Sequence, residues 1–239
     1  WPVAMAALLG ALCIQVGTNL TNDYFDFKRG ADSSDRQGPA RAASSGWLEA
    51  RDVLAGAMIS FALATVFGVY LVWVGGVAIL AIGLASIVAG YCYTGGPYPL
   101  AYHGLGDVFV LAFFGFVAVG GTYFVQTGTL SALSLVAAVA VGLQGVMLLA
   151  VNNTRDAESD RRSNKKTLVV KLGQRFGRIE YVVCFTFSAL TPVALWLSGA
   201  ASPWVLTTLF SLPLTIHPLR LMLTVSDRRL NTSLAETAR

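Results

Sequence analysis

Residues 132–151 run for twenty positions without a charged side chain. A helix needs roughly 20 mostly apolar residues to cross a bilayer. Seven segments of this kind are read, at roughly 2–19, 53–74, 77–94, 107–125, 132–153, 179–198 and 203–225, none with an acid in its central part. Lipid offers no partner for backbone N–H and C=O groups, so a spanning segment must satisfy its own. A closed β-barrel would do so with short alternating strands, and runs such as 132–151 argue against it. The expected fold is an all-α polytopic membrane protein. Composition agrees: 13% of the residues are charged and the mean hydropathy is +0.62, where soluble domains carry about 25% charge.

The bases divide the loops into two sets. Lys28, Arg29, Arg36, Arg41 and Arg51 fall between the first and second segments, and Arg155, Arg161, Arg162, Lys165, Lys166, Lys171, Arg175 and Arg178 between the fifth and sixth. Arg220, Arg228, Arg229 and Arg239 lie at the end, while the turns 74–77, 126–131 and 198–203 carry none. With seven alternating segments all seventeen bases lie on one side. The positive-inside rule makes that side cytoplasmic, in a prokaryotic cell (inner) membrane. The chain opens at Trp1 inside an apolar run and stops at Arg239 in a polar one, so truncation at both ends is expected.

Cys13, Cys92 and Cys184 are far apart, without metal-ligand or disulfide spacing, and read as small buried residues. Gly83, Ala85, Ser86, Ala89, Gly90, Gly115, Gly120 and Gly121 permit close helix packing. Pro192, Pro213 and Pro218 are expected to kink the last two helices, and His217 beside them reads as a packed or interfacial residue.

Two acidic clusters stand out against this apolar background. Asn19-Leu-Thr-Asn22-Asp23-Tyr-Phe-Asp26 continues to Asp32, and Asn152-Asn153-Thr-Arg155-Asp156 continues to Asp160. Residues four apart share one helical face. Asn22 and Asp26, Asn19 and Asp23, and Asn152, Asp156 and Asp160 have this spacing. Like charges one turn apart repel, and acids at the membrane are costly and usually functional. A divalent cation would remove that cost. Carboxylate and carboxamide oxygens suit Mg²⁺, which commonly shares its coordination with substrate phosphates. Lys28, Arg29, Arg36, Arg41, Arg155, Lys165 and Lys166 are suited to phosphate oxygens. Acids for metal and bases for phosphate, at the mouth of an apolar bundle, suggest a lipid diphosphate. Asp35, Glu49, Asp52, Glu158, Arg161 and Arg162 read as ordinary solvated loop charges.

The middle loop, Tyr91-Cys-Tyr93-Thr-Gly-Gly-Pro97-Tyr98-Pro99-Leu-Ala-Tyr102-His103-Gly-Leu-Gly-Asp107, is rich in turn formers and aromatics. Tyr91 and Tyr93 are placed to face a cation with their rings, whereas Tyr98 and Tyr102 read as an interfacial belt. His103 is either a base or a plain loop residue.

These three stretches together resemble the UbiA superfamily of intramembrane prenyltransferases, in particular its branch acting on 1,4-dihydroxy-2-naphthoate in menaquinone biosynthesis. The resemblance rests on Asn19-Leu-x-Asn22-Asp23-Tyr-x-Asp26 with Gly30-x-Asp32, Arg36-x-Gly38-Pro39-x-Arg41, the loop from Tyr93 to Asp107 continuing to Phe113-Phe114-Gly115, and Asn152-Asn153-x-Arg155-Asp156-x-x-x-Asp160 followed by Lys165-x-Thr167-Leu168-x-Val170-Lys171-Leu172-Gly173. It extends to about residue 180. Asn164 stands where the family pattern has Gly; Asn also tolerates a left-handed turn.

The resemblance implies one transmembrane prenyltransferase domain over 1–239, partial, with motif loops at 19–52, 94–106 and 152–178. The family fold has nine helices, so two are expected to be missing. The implied reaction joins a polyprenyl diphosphate to an aromatic acceptor, with loss of diphosphate and CO₂, giving demethylmenaquinone. The implied Mg²⁺ ligands are Asn22, Asp23, Asp26, Asn152, Asp156 and Asp160. Asn19, Lys28, Arg41, Tyr91, Arg155 and Lys165 would bind substrate, and Asp26, Asp156, Asp160, Lys165 and Tyr93 would be catalytic. Asp32 would join the site or orient its bases. No nucleic-acid partner is expected, and oligomeric state is left open. Two alternatives stand beside this reading. One is a family member acting on 4-hydroxybenzoate or homogentisate. The other is an ion-coupled transporter or lipid-binding protein, which would place its acids near the membrane midplane rather than at helix ends.

Overall fold

The computed structural model describes residues 1–32 and 37–238. Asp35, Arg36 and Arg239, named above for their charges or motif positions, lie outside the described residues. Among the described residues the chain is helical, with no strand. Helix α1 is Pro2–Lys28. Helix α2, Ala50–Cys92, has 43 residues. A straight helix of that length would measure about 65 Å, twice a bilayer's hydrocarbon thickness. It is not straight. Gly76 has φ 72° and ψ −160°, a conformation essentially confined to glycine. The path reverses there, because Phe61 and Gly90, nearly equidistant from Gly76, meet: a Cβ on Gly90 would lie 3.5 Å from the Phe61 ring. The limbs 50–75 and 77–92 are therefore the expected second and third crossings.

Helix α3 spans Gly106–Thr127, its middle wound as a π-helix over Leu111–Gly121. Helix α4 is Ala132–Arg162, opened by a capping box between Ser131 and Ser134. The short α5 is Leu168–Leu172, and α6 is Gln174–Leu197. A 3₁₀ run, Pro203–Ser211, continues as α7, Leu212–Thr224. Helix α8, Leu230–Thr237, closes the chain. Among the described residues six helices are long and apolar enough to cross a membrane. The broken α2 counts twice, in agreement with the seven apolar segments. Pro192 and Pro218 lie inside α6 and α7, but Pro213 does not interrupt α7. It occupies the first turn, where the missing N–H removes no bond.

Two kinds of packing hold the bundle. Residue 115 of α3 approaches α4 so closely that a Cβ on Gly115 would lie 2.5 Å from the Ala138 carbonyl oxygen, so only glycine fits. Val146, Met147, Ala150, Val151, Tyr181, Cys184, Met222, Val225 and Leu230 form one apolar core joining α4, α6, α7 and α8. The outer surface is apolar as well. Ile59, Val66, Trp73, Leu84, Phe187, Trp204 and Phe210 are all exposed, as a lipid-facing surface requires. The protein is a multi-pass membrane protein.

Both α1 and α4 extend beyond their apolar runs, carrying the acidic clusters on their last turns. The loops between α1 and α2, α2 and α3, and α4 and α6 meet at this end. Lys166 N–H donates to the Tyr102 carbonyl at 3.1 Å, and Lys171 Nζ to the His103 carbonyl at 2.7 Å.

Candidate active site

A cavity of about 180 Å³ opens at this end of the bundle. Its wall brings together Asn19, Asn22 and Asp26 from α1, Arg41 from the first loop, Tyr93 from the middle loop, Asn152, Arg155, Asp156 and Asp160 from α4, and Lys165 beyond it. The two clusters, 126 positions apart at Asp26 and Asn152, thus face one space.

Asp26 is the most connected acid. It is 2% exposed. The Tyr102 hydroxyl donates to its Oδ1 at 2.8 Å, Arg41 Nη2 stands 3.6 Å and Lys165 Nζ 3.9 Å from its Oδ2. Arg41 also pairs through Nε with Asp32 at 3.4 Å, and Lys165 with Asp160 Oδ1 at 3.8 Å. Asp32 therefore orients a base rather than lining the cavity. Lys165 is aimed inward by a turn after α4. Its N–H donates to the Asp160 carbonyl at 2.8 Å, and Asn164 takes φ 58°, the left-handed geometry that permits Asn in place of Gly. On α4, Arg155 grips Asp156 with two bonds of 2.7 and 2.6 Å. Its remaining Nη1 donates to Asn231 Oδ1 at 2.8 Å, and Asn231 Nδ2 donates to the Gln37 carbonyl at 3.0 Å.

The local field keeps these groups in fixed charge states. Burial draws the Lys165 pKa down, but Asp26 and Asp160 outweigh it and hold the ammonium above the usual lysine range. Burial is the main cause that pushes the Tyr93 hydroxyl up to about 12; Lys165 opposes it, while Asp107, Asp26 and Asp160 add to it. Burial and then Asp26 likewise raise Tyr102.

Several residues expected at the site stand elsewhere. Asp23 points to the first loop: its Oδ2 accepts from Ala42 N–H at 2.9 Å and its Oδ1 from Ala43 N–H at 3.3 Å. The reason is helical phase, since Asp23 is one residue off the Asn19–Asn22–Asp26 face. Lys28 lies over the Tyr24 ring at 5.6 Å, in a separate open groove with Arg51. Tyr91 packs edge-on against Phe25 at 5.6 Å. Arg29 donates to the Thr94 and Gly96 carbonyls and covers the Tyr102 ring at 4.9 Å, and Lys166 does not line the cavity.

Conversely, Tyr102 is no belt residue but buried against Asp26; Tyr98 is exposed and stacks on His103 at 3.7 Å. Thr94 Oγ1 donates to Asn22 Oδ1 at 2.7 Å, tying the middle loop to α1. Asn231 reaches the site from α8, a helix without a signal in the apolar pattern.

The donor set fits a hard cation. Every acidic or amide donor in the wall offers oxygen, the preference of Mg²⁺. Among the described residues no three acids are arranged as a ready-made cage. Mg²⁺ would take one or two of the wall's carboxylates at a time and complete its shell with phosphate and water.

The model of the UbiA prenyltransferase family matches residues 1–235. The chain belongs to the UbiA prenyltransferase family. Among its relatives in that family, a protein of Escherichia coli (strain K12) is 36% identical over 232 residues, covering 94% of this chain and 75% of the relative. One of Mycobacterium tuberculosis is 37% identical over 217 residues (91% and 73%), and one of Bacillus subtilis 32% over 216 (90% and 70%). All three carry the name 1,4-dihydroxy-2-naphthoate octaprenyltransferase. This UbiA chain is an aromatic prenyltransferase. That excludes the transporter reading. Its acids also cluster at the helix ends rather than near the membrane midplane.

Proposed function

We propose that the protein transfers a polyprenyl group from polyprenyl diphosphate to 1,4-dihydroxy-2-naphthoate, releasing diphosphate and CO₂. The product is demethylmenaquinone in its quinol form. The observation that carries the reading is the convergence of Asn22, Asp26, Asn152, Asp156 and Asp160 with Arg41 and Lys165 in one cavity. The names of the bacterial relatives support the acceptor.

The head group enters from the base-rich face, which the charge pattern makes cytoplasmic, and the isoprenoid tail lies along the apolar bundle. Asn22, Asp26, Asn152, Asp156 and Asp160 would hold Mg²⁺, which supplies Lewis-acid neutralisation of the diphosphate. Arg41 and Lys165, now paired with Asp26, Asp32 and Asp160, turn their donors to the diphosphate oxygens as negative charge develops there. Arg155 holds Asp156 in place. Breaking the C–O bond leaves an allylic cation, which the bundle screens from water and the Tyr93 ring faces. An electron-rich ring carbon of the acceptor attacks it. The new C–C bond forms at the carbon bearing the carboxylate. CO₂ then leaves, and the electron pair of its bond restores the aromatic ring, so no strong base is needed at that carbon. Asp23 acts by securing the first loop, which carries Arg41.

The test is an acceptor panel. The protein in membranes receives Mg²⁺, polyprenyl diphosphate and, in turn, the naphthoate, 4-hydroxybenzoate and homogentisate. Equal release of diphosphate and CO₂ with the naphthoate is the expected result. Transfer confined to 4-hydroxybenzoate or homogentisate would overturn the acceptor assignment.

A further inference from the structure

Asp107 is the acid in the cavity wall that the diphosphate chemistry does not use. It stands at the start of α3, lines the same cavity as Asp26 and Asp156, and is 7% exposed. Its Oδ1 is buried without a hydrogen-bond partner. Asp26, Asp32, Asp156 and Asp160 each face a base; among the described residues Asp107 has none. The other charged group within its electrostatic reach on α6 is an acid, Glu180. A buried carboxylate without a partner is costly, and at the membrane such an acid marks a functional position.

The neighbouring wall narrows the choice of partner. Next to Asp107, Gly106 stands against Leu149 and the Tyr93 hydroxyl, all three lining the same cavity. Gly106 keeps the space open, since a Cβ there would lie 2.9 Å from the Tyr93 hydroxyl and 3.3 Å from Leu149. A carboxylate beside a leucine side chain and a tyrosine suits a flat ring bearing a hydroxyl. The ionised diphosphate offers acceptors rather than donors, and the isoprenoid chain has no donor. The aromatic acceptor alone among the substrates brings O–H groups.

We propose that Asp107 accepts a hydrogen bond from the ring hydroxyl remote from the acceptor's carboxylate, the 4-hydroxyl of 1,4-dihydroxy-2-naphthoate, and so determines which acceptor is used and how it lies. The inference rests on the acceptor class proposed above. A charge-assisted O–H···O⁻ bond is short and strong; it orients the ring. A site built to bond a substrate hydroxyl rejects an analogue lacking it far more strongly than an apolar pocket can.

The experiment compares the wild-type protein with Asp107→Asn and Asp107→Ala, in membranes with Mg²⁺. Asp107→Asn keeps the side-chain shape, so it tests the charge where Asp107→Ala fails to fold. KM is measured separately for the acceptor and for polyprenyl diphosphate, with 1,4-dihydroxy-2-naphthoate and 1-hydroxy-2-naphthoate as acceptors. The acceptor KM is expected to rise about tenfold or more in Asp107→Asn. KM for the diphosphate and the Mg²⁺ requirement should stay within about twofold, and discrimination between the two naphthoates should shrink. An unchanged acceptor KM would overturn the proposal, as would a rise confined to the diphosphate KM or the Mg²⁺ requirement, which would make Asp107 part of the metal site. Failure of the naphthoate reading is separately visible, because the wild type would then prefer another hydroxylated acceptor and the same comparison would run with that one.

Discussion

The hydrogen bond from Tyr102 to Asp26 is the contact on which the first acidic cluster turns. It holds one carboxylate oxygen and leaves the other to Arg41 and Lys165. Tyr102→Phe removes a bond to a charged group, and turnover is expected to fall about ten- to a hundredfold, read as initial diphosphate release with the protein intact by thermal melt. Asp156→Asn keeps the side-chain size but removes the charge and one of the two oxygens that accept from Arg155. A loss of about a hundredfold or more in kcat is expected, with normal yield; a normal rate would contradict the metal assignment. Lys165 and Tyr93 are both shifted upward from their ordinary values. A raised pKa keeps each group protonated, so the ammonium stays charged and the phenol neutral below about pH 10. Their contribution to stability is present there and is lost only as the pH climbs through the shifted values. The rate between about pH 7 and 9 should show no descending limb that disappears in Lys165→Arg. The i, i+4 spacing made Asn22, Asp26, Asn152, Asp156 and Asp160 legible, because spacing translates directly into a helical face. Asp23 misled, since proximity in sequence places it on a different face. Tyr102, Thr94 and Asn231 act through contacts across 72 or more positions, which periodicity does not encode.

At the level of elements, the break in α2 carries the most structural weight. Only its Gly76 geometry turns 43 helical residues into two crossings. Gly76→Ala is expected to cost about 1–3 kcal/mol of stability, measured as a lowered melting temperature in detergent. Gly68→Ala, inside the helix with open space around it, should be neutral or slightly stabilising and serves as the control. The apolar runs revealed each crossing but not this hairpin's packing, which depends on Phe61 seating against Gly17 and Gly90. Helices α5 and α8 were not legible either. Each is short and mixed in polarity, and each is held by tertiary contact, Val169 and Leu230 being fully buried. Asn231→Ala on α8 should weaken Arg155 and the 37–41 loop together. A rise of several-fold in the diphosphate KM with a smaller change in the acceptor KM distinguishes this from general loosening of the fold.

For the whole molecule, the placement of charge and of the cavity agree. The loops that carry the bases also carry the site, and the opposite turns are uncharged. Single cysteines introduced at Ser163 and Ser198 in a background without Cys13, Cys92 and Cys184 should therefore label from opposite faces with a membrane-impermeant reagent, Ser163 from the cytoplasmic one. Labelling of both from one face would contradict the topology. The central claim is narrower: two distant acidic clusters and two bases form one diphosphate site that works through a divalent cation. It is tested most directly by the binding of a non-reactive polyprenyl thiolodiphosphate to the protein in detergent, with and without Mg²⁺, for the wild type, Asp26→Asn and Asp156→Asn. The account predicts Mg²⁺-dependent binding that weakens by at least about tenfold in both variants. Binding that is equally tight without Mg²⁺, or unchanged in either variant, would contradict it.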